Sequence, residues 1–186
     1  DYVSYVDKAS EKKVVSALRK LLPEAGFIAE EGSAAYSDET YCWVVDPLDG
    51  TTNYIHDNAP YCVSIALRDK QSLLLGVVYE PCRDECFYAW KGGGAYVNGE
   101  RLRVSLVSEP KDAFVVTELP YNFEQYARTG EHLIHELYGK VAGIRMNGSA
   151  ALALCYVAAG RFDAWLEAFI GKWDFSAAAL MGLEAG

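Results

Sequence analysis

The sequence is short of positive charge. Its 186 residues carry 17 lysines and arginines against 26 aspartates and glutamates, a net charge of −9. A face that binds nucleic acid must neutralise phosphates with clustered cations, so this balance argues against such a partner. No apolar run is long enough to span a bilayer and the start shows no secretory leader, which points away from a membrane partner. The five cysteines, Cys42, Cys62, Cys82, Cys86 and Cys155, are an odd set. Only Cys82 and Cys86 are close together, and no second pair or histidine cluster completes a zinc site. Reduced, buried thiols in a cytoplasmic protein are the expectation. Repeats, low-complexity tracts and a clear linker are absent as well.

What is present is core-forming: 51% of the residues are apolar and 13% aromatic, as in a folded chain with a substantial interior. Val14, Val15, Leu18, Leu21 and Leu22 mark one helix face, closed by Pro23. Short apolar runs predict strands over 27–29, 41–45, 62–67, 73–79 and 85–90, closed by Lys91-Gly92-Gly93-Gly94. Asn98-Gly99 signals a tight turn into a further segment, Leu102 to Val104. The second half alternates, with strands over 113–117, near Ile144 and over 163–166, and helices over 123–138, 150–159 and 175–183. Consecutive strands followed by alternation imply an α+β portion, residues 1–112, and an α/β portion, residues 113–186, sharing an extensive interface. The chain stops just after an apolar helical pattern, so terminal segments, and an internal loop, are expected to lie outside it.

The richest stretch is Asp46-Pro47-Leu48-Asp49-Gly50-Thr51-Thr52-Asn53, where an apolar strand ends. Pro47 cannot donate to a strand ladder, so the chain turns and Asp46 and Asp49 converge beyond the strand end. Two close carboxylates repel unless cations stand between them, and hard oxygen ligands of this kind suit Mg²⁺. Gly50-Thr51-Thr52 then offers backbone N–H groups at a helix start, an anion site. The plainer reading is a strand, a proline turn and an Asp-Gly loop with no ligand. An aspartyl-phosphate enzyme needs its two acids two apart, and here Leu48 fills that place.

Asp46 to Asn53 resembles the signature of the inositol monophosphatase family, lithium-sensitive Mg²⁺-dependent phosphatases related to fructose-1,6-bisphosphatase. Phe27-Ile28-Ala29-Glu30-Glu31, Gly148-Ser149-Ala150-Ala151 and Trp173-Asp174 with Ser176-Ala177-Ala178 resemble its other motifs, in the expected order. The resemblance implies a layered α/β/α/β/α sandwich and two or three Mg²⁺ ions. It implies that Glu30, Asp46 and the Leu48 carbonyl hold one metal, and that Asp46, Asp49 and Asp174 hold a second. Asp7 falls where relatives keep an acid near Thr51 and a weaker third metal. Glu30 and Thr51, with Asp7 behind, would orient an attacking water, and Gly50 and Thr51 N–H groups would bind phosphate. Asp49, Gly148, Ser149, Ala150 and Glu167 would meet the alcohol part of the substrate.

Each acid also has a plainer role, as a helix cap for Asp7 and Asp174 or a solvated charge for Glu30 and Glu167. Thr52-Asn53 matches the inositol-directed branch; a lysine after Thr51 would mark relatives that cleave 3′-phosphoadenosine 5′-phosphate. Ala29 stands where the family has glycine, and Leu119-Pro120-Tyr121-Asn122 lacks the polar residues of inositol-specific members. The expected substrate is a small phosphorylated metabolite, an inositol monophosphate first. The alternatives are 3′-phosphoadenosine 5′-phosphate, a sugar phosphate, or a non-catalytic phosphate- or metal-binding module. Homodimers are common in the family and possible here.

Overall fold

The computed structural model describes residues 5–119 and 122–186, the Phe123 side chain excepted. Pro120 and Tyr121, part of the departure at 119–122, lie outside the described residues.

The strands of the first half form a seven-stranded sheet in sequential order. They are β1 (Gly26–Ala29), β2 (Cys42–Asp49), β3 (Cys62–Arg68), β4 (Leu73–Glu80), β5 (Glu85–Trp90), β6 (Gly94–Val97) and β7 (Glu100–Arg101). β1 pairs parallel to β2, and every later neighbour pairs antiparallel. The apolar run of β2 is buried from Cys42 to Leu48, as a strand covered on both faces requires. On one face lies α1 (Tyr5–Leu21), whose Val15 and Leu18 pack with Phe27, Trp43 and Val45. On the other lies α5 (Lys172–Ala185). Gly76 lets that helix approach, because a Cβ there would sit 2.5 Å from the Ala177 carbonyl oxygen.

The second half builds a three-stranded parallel sheet in which β8 (Phe114–Glu118) lies between β9 (Gly143–Arg145) and β10 (Ala164–Glu167). The chain passes from β8 to β9 through α3 (Phe123–Leu137) and from β9 to β10 through α4 (Ala150–Ala158). The two crossovers step in opposite directions across β8, so right-handed connections put α3 and α4 on opposite faces. α4 is the inner helix; its buried Ala150, Ala151, Ala153 and Ala158 permit close packing, and it lies against α5. The layers are therefore α1, large sheet, α4 with α5, small sheet and α3, the α/β/α/β/α sandwich. One core runs from Val78, Phe87 and Ala89 through Ala151, Leu152, Ala177 and Met181 to Val116 and Phe162. A line between residues 112 and 113 divides the sheets but not this core.

Four local expectations need correction. Lys91–Gly94 does not close the meander; Gly94 opens β6, which pairs Phe87 with Val97 and Trp90 with Gly94. Residues 102–104 form no strand, because the chain leaves the sheet after Arg101 to bury Leu102 in the core. Asp163 precedes β10, where its carboxylate accepts the Phe114 N–H at 2.6 Å and pairs with the Ser105 hydroxyl. α5 begins at Lys172 rather than Phe175, which places Asp174 inside its first turn. No helix among the described residues is long and apolar enough to cross a membrane.

Candidate functional site

β1 and β2 end side by side, and the acids stand where they end. Pairing of β2 with β3 runs to Asp46↔Ser64 and slips at Pro47. It resumes at Asp49↔Cys62, so the proline makes a bulge rather than a full stop. The Leu48 N–H donates to Asp46 Oδ1 at 2.9 Å, which turns the backbone around the aspartate. Gly50 has φ +91, and a Cβ there would lie 2.9 Å from the Pro60 carbonyl oxygen. Only glycine suits a left-handed residue packed so closely. The chain then enters α2 (Thr51–Ile55).

Thr51 Oγ1 stands 2.9 Å from both Asp7 Oδ1 and the Leu48 carbonyl oxygen, with one proton to donate between them. Asp7, only 1% exposed, lies in the first turn of α1 and faces this hydroxyl across 44 residues of sequence. Glu30 follows β1, and its N–H donates to the Val45 carbonyl at 3.2 Å. Its carboxyl and that of Asp174 each make a side-chain hydrogen bond with Asp46. Asp174 Oδ2 also accepts the Gly171 N–H at 2.6 Å, so this aspartate closes the start of α5 and faces Asp46 at once. Asp49 Oδ2 accepts the Ser149 hydroxyl at 2.6 Å and the Ala151 N–H at 2.8 Å, which ties β2 to the start of α4.

These groups border one cavity of about 510 Å³. Glu30, Asp46, Leu48, Asp49, Gly50 and Thr51 line one side; Gly148, Ser149, Ala150, Glu167 and Asp174 line the other. Of the expected site residues, Asp7 alone is outside the lining, behind Thr51. The rim adds Leu119, Asn122, Phe169, Ile170 and Trp173.

The electrostatics are one-sided. Glu30, Asp46, Asp49, Glu118, Glu167 and Asp174 line the cavity, and among the described residues no lysine, arginine or histidine does. Burial pushes Glu30 up to about 7, with Asp174, Glu31 and Asp49 adding to the rise against the hydrogen bond from Asp46. Asp49 is likewise pushed up to about 7 by burial, against the bonds from Ser149 and Ala151. Burial and then the charges of Asp49, Glu30 and Asp174 hold Asp46 well above the usual carboxylate range. Burial, then neighbouring Glu118, raises Glu167 to about 8, against its interaction with the Trp165 indole. Burial raises Asp174 too.

Buried carboxylates in mutual contact need either shared protons or a cation. Hard oxygen donors with no competing basic side chain are a fit for Mg²⁺ rather than for a soft metal. Among the described residues no group of three or more acids, histidines or cysteines is set around one coordination point, while burial raises the carboxyls that line the cavity. Loading would therefore turn side chains and release protons.

Three neighbours make contacts that the sequence reading did not assign. Glu11 is fully buried in α1, and its two oxygens accept the N–H groups of Glu31 and Ser33, each at 2.8 Å, holding the loop that carries Glu30. Asn53 Nδ2 donates to the carbonyls of Pro60 and Asn147 at 2.8 and 2.7 Å. Glu118 accepts two N–H groups of the turn before α4. Glu11 lies one helical turn after Asp7 on the same face, which is the one local signal of its role; Glu118, and Asn53 in its bond to Asn147, act over long separations that no local pattern announces.

The Nus factor SuhB of Escherichia coli (strain K12) is 43% identical over 187 residues, covering 100% of this chain and 70% of that protein. An inositol-1-monophosphatase of Rhizobium meliloti is 41% identical over 191 residues, with the same two coverages. Among solved structures, the extragenic suppressor protein suhB of Bartonella henselae matches with a TM-score of 0.95 at 40% identity, over 100% of this chain and 72% of that one. The inositol monophosphatase of Anabaena gives 0.93 at 38% identity, over 97% of this chain and 72% of that one. The sequence model of the inositol monophosphatase family matches residues 1–186. With the same layered backbone and a match along its whole length, this chain belongs to the inositol monophosphatase family.

Proposed function

We propose that this protein hydrolyses small phosphate monoesters, an inositol monophosphate foremost, with two or three Mg²⁺ ions and by direct attack of water. The observation that carries the reading is the cavity with six carboxylates and no basic side chain. A phosphate enters such a place only in the company of metal cations. Glu30, Asp46, the Leu48 carbonyl, Asp49 and Asp174 would hold them. When bound, the ions would neutralise the transferring phosphoryl group and lower the pKa of a water.

The remaining work falls to this chain's own groups. Thr51, donating its hydroxyl proton to Asp7, keeps oxygen lone pairs for a hydrogen bond from the attacking water. Glu30 would take the proton of that water. Gly50 and Thr51 present backbone N–H groups to phosphate oxygens. Ser149 has committed its hydroxyl to Asp49, so the turn at 148–150 meets the alcohol through its backbone. Glu167 lines the cavity with a carboxyl that suits a polyol hydroxyl. A second phosphate on the substrate would find no basic partner in the lining, which disfavours 3′-phosphoadenosine 5′-phosphate. The name Nus factor belongs to the Escherichia coli relative, and the cavity here speaks to hydrolysis.

The test is phosphate release from inositol, sugar and nucleotide phosphates, with Mg²⁺ or EDTA, and with Li⁺ added. Magnesium-dependent release that Li⁺ suppresses is expected. No release from any compound would favour the binding module instead.

A further inference from the structure

We propose that Glu118 is a positioning residue, whose carboxylate clamps the turn at 147–148 and through it fixes Ser149 and Asp49 at the cavity wall. Its kinetic consequence rests on the hydrolytic reading above; its geometric consequence does not.

The ladder between β8 and β9 runs to Val116↔Arg145. Beyond it the chain after β9 bends toward α4, and a side chain replaces strand pairing. Glu118 Oε1 accepts the N–H of Asn147 at 2.5 Å and that of Gly148 at 2.8 Å. From the other side, Asn53 Nδ2 donates to the Asn147 carbonyl at 2.7 Å. Gly148 has φ +74, and a Cβ there would lie 2.8 Å from Asn53 Nδ2, so the turn is seated against that amide. Two side chains from distant segments thus grip one peptide turn.

The residues just past this turn hold Asp49. Ser149 is the N-cap of α4; its Oγ accepts the Leu152 N–H at 3.3 Å and donates to Asp49 Oδ2 at 2.6 Å. The Ala151 N–H reaches the same oxygen at 2.8 Å. A displaced turn therefore displaces both of these donors. An acid at 118 also carries a cost, because its register partner on β10 is Glu167 and adjacent like charges repel. An apolar residue would remove that repulsion but strand two N–H groups. Because both donors share one oxygen, glutamine can supply the same acceptor without the charge.

The test compares Glu118→Ala and Glu118→Gln by amide hydrogen exchange and by phosphate release. The telling amide is that of Ala151, which Glu118 does not touch. In Glu118→Ala its exchange should quicken about 10-fold or more. The kcat/KM of that variant should fall about 100-fold, as expected for a misplaced group. In Glu118→Gln both readouts should stay within about 3-fold of wild type, since the acceptor is retained. Unchanged Ala151 exchange in Glu118→Ala overturns the clamp. So does a Glu118→Gln as impaired as Glu118→Ala, because charge rather than acceptance would then matter. If Glu118→Ala does not fold, Glu118→Asp withdraws the acceptor by one methylene and should quicken the same amide; unchanged exchange there overturns the proposal equally. A wild-type protein that releases no phosphate would defeat the hydrolytic reading while leaving the exchange comparison decisive.

Discussion

Removing metal and raising pH should destabilise this protein, and magnesium should reverse the loss. Asp49 moves from an ordinary value of 3.8 to about 7, and Glu30 from 4.5 to about 7. Both folded values lie above the unfolded ones, so the metal-free fold keeps protons that the unfolded chain has released. Their contribution is fully present below the unfolded values and is lost as pH rises through about 7. For Asp49, the interval from pH 5 to 7 at about 1.4 kcal/mol per pH unit gives about 3 kcal/mol. Glu30 adds less, because part of its carboxyl meets solvent and the charges interact, so a loss of about 3–5 kcal/mol is expected between pH 5 and 8. In a chain of this size that lowers Tm by roughly 10 °C. Calorimetry in EDTA at pH 5 and pH 8, repeated with millimolar Mg²⁺, measures it; magnesium should stabilise strongly at pH 8 and weakly at pH 5. Titration calorimetry at pH 6 in buffers of different protonation enthalpy should show about one or two protons released per protein. Metal-free stability that is flat or rising from pH 5 to 8, with no proton release, would refute this reasoning.

Other expectations concern single side chains. Asp49→Asn keeps an acceptor for Ser149 and Ala151, so the fold should persist by circular dichroism while phosphate release drops about 10³-fold; an active variant would defeat the assignment. Glu11→Gln is not a mild change, because each carboxylate oxygen takes a separate N–H and one amide face would oppose a donor. Urea unfolding should show a loss of about 2–3 kcal/mol, together with a lower apparent affinity for Mg²⁺. Gly76→Ala places a methyl 2.5 Å from the Ala177 backbone, and α5 must shift. It should cost about 1–3 kcal/mol in the same assay, and a neutral result would mean that the helix is held less tightly than its packing implies.

Much of the architecture is legible from strand-length apolar runs and their punctuation. The continuous run before Asp46 reads as a doubly covered strand, and β2 is one. Legibility fails where glycine chemistry misleads: Gly92-Gly93-Gly94 reads as loop, yet Gly94 begins β6. The Asn98-Gly99 turn forms as read, but the strand after it is Glu100–Arg101, and Leu102 goes into the core. At the cavity, the acids near motifs could be named from spacing and resemblance. Glu11 and Glu118 could not, since each holds backbone 20 to 30 residues away and alone reads as an ordinary charge. Asp174 shows why a choice between cap and ligand was badly posed, because one carboxyl closes α5 and faces Asp46 together.

The two inner helices set off from the cavity, α4 beside Asp49 and α5 with Asp174 in its opening turn, and at the far end of α5 Glu184 grips the N–H groups of Gly92 and Gly94. A helix is a stiff rod, so its remote anchorage and its business end move as one piece. Substitutions around Gly92 or Met181, far from any reacting atom, would then surface in an assay as lost turnover, and a screen for catalytic positions would return residues whose sole task is to keep a rod from sliding.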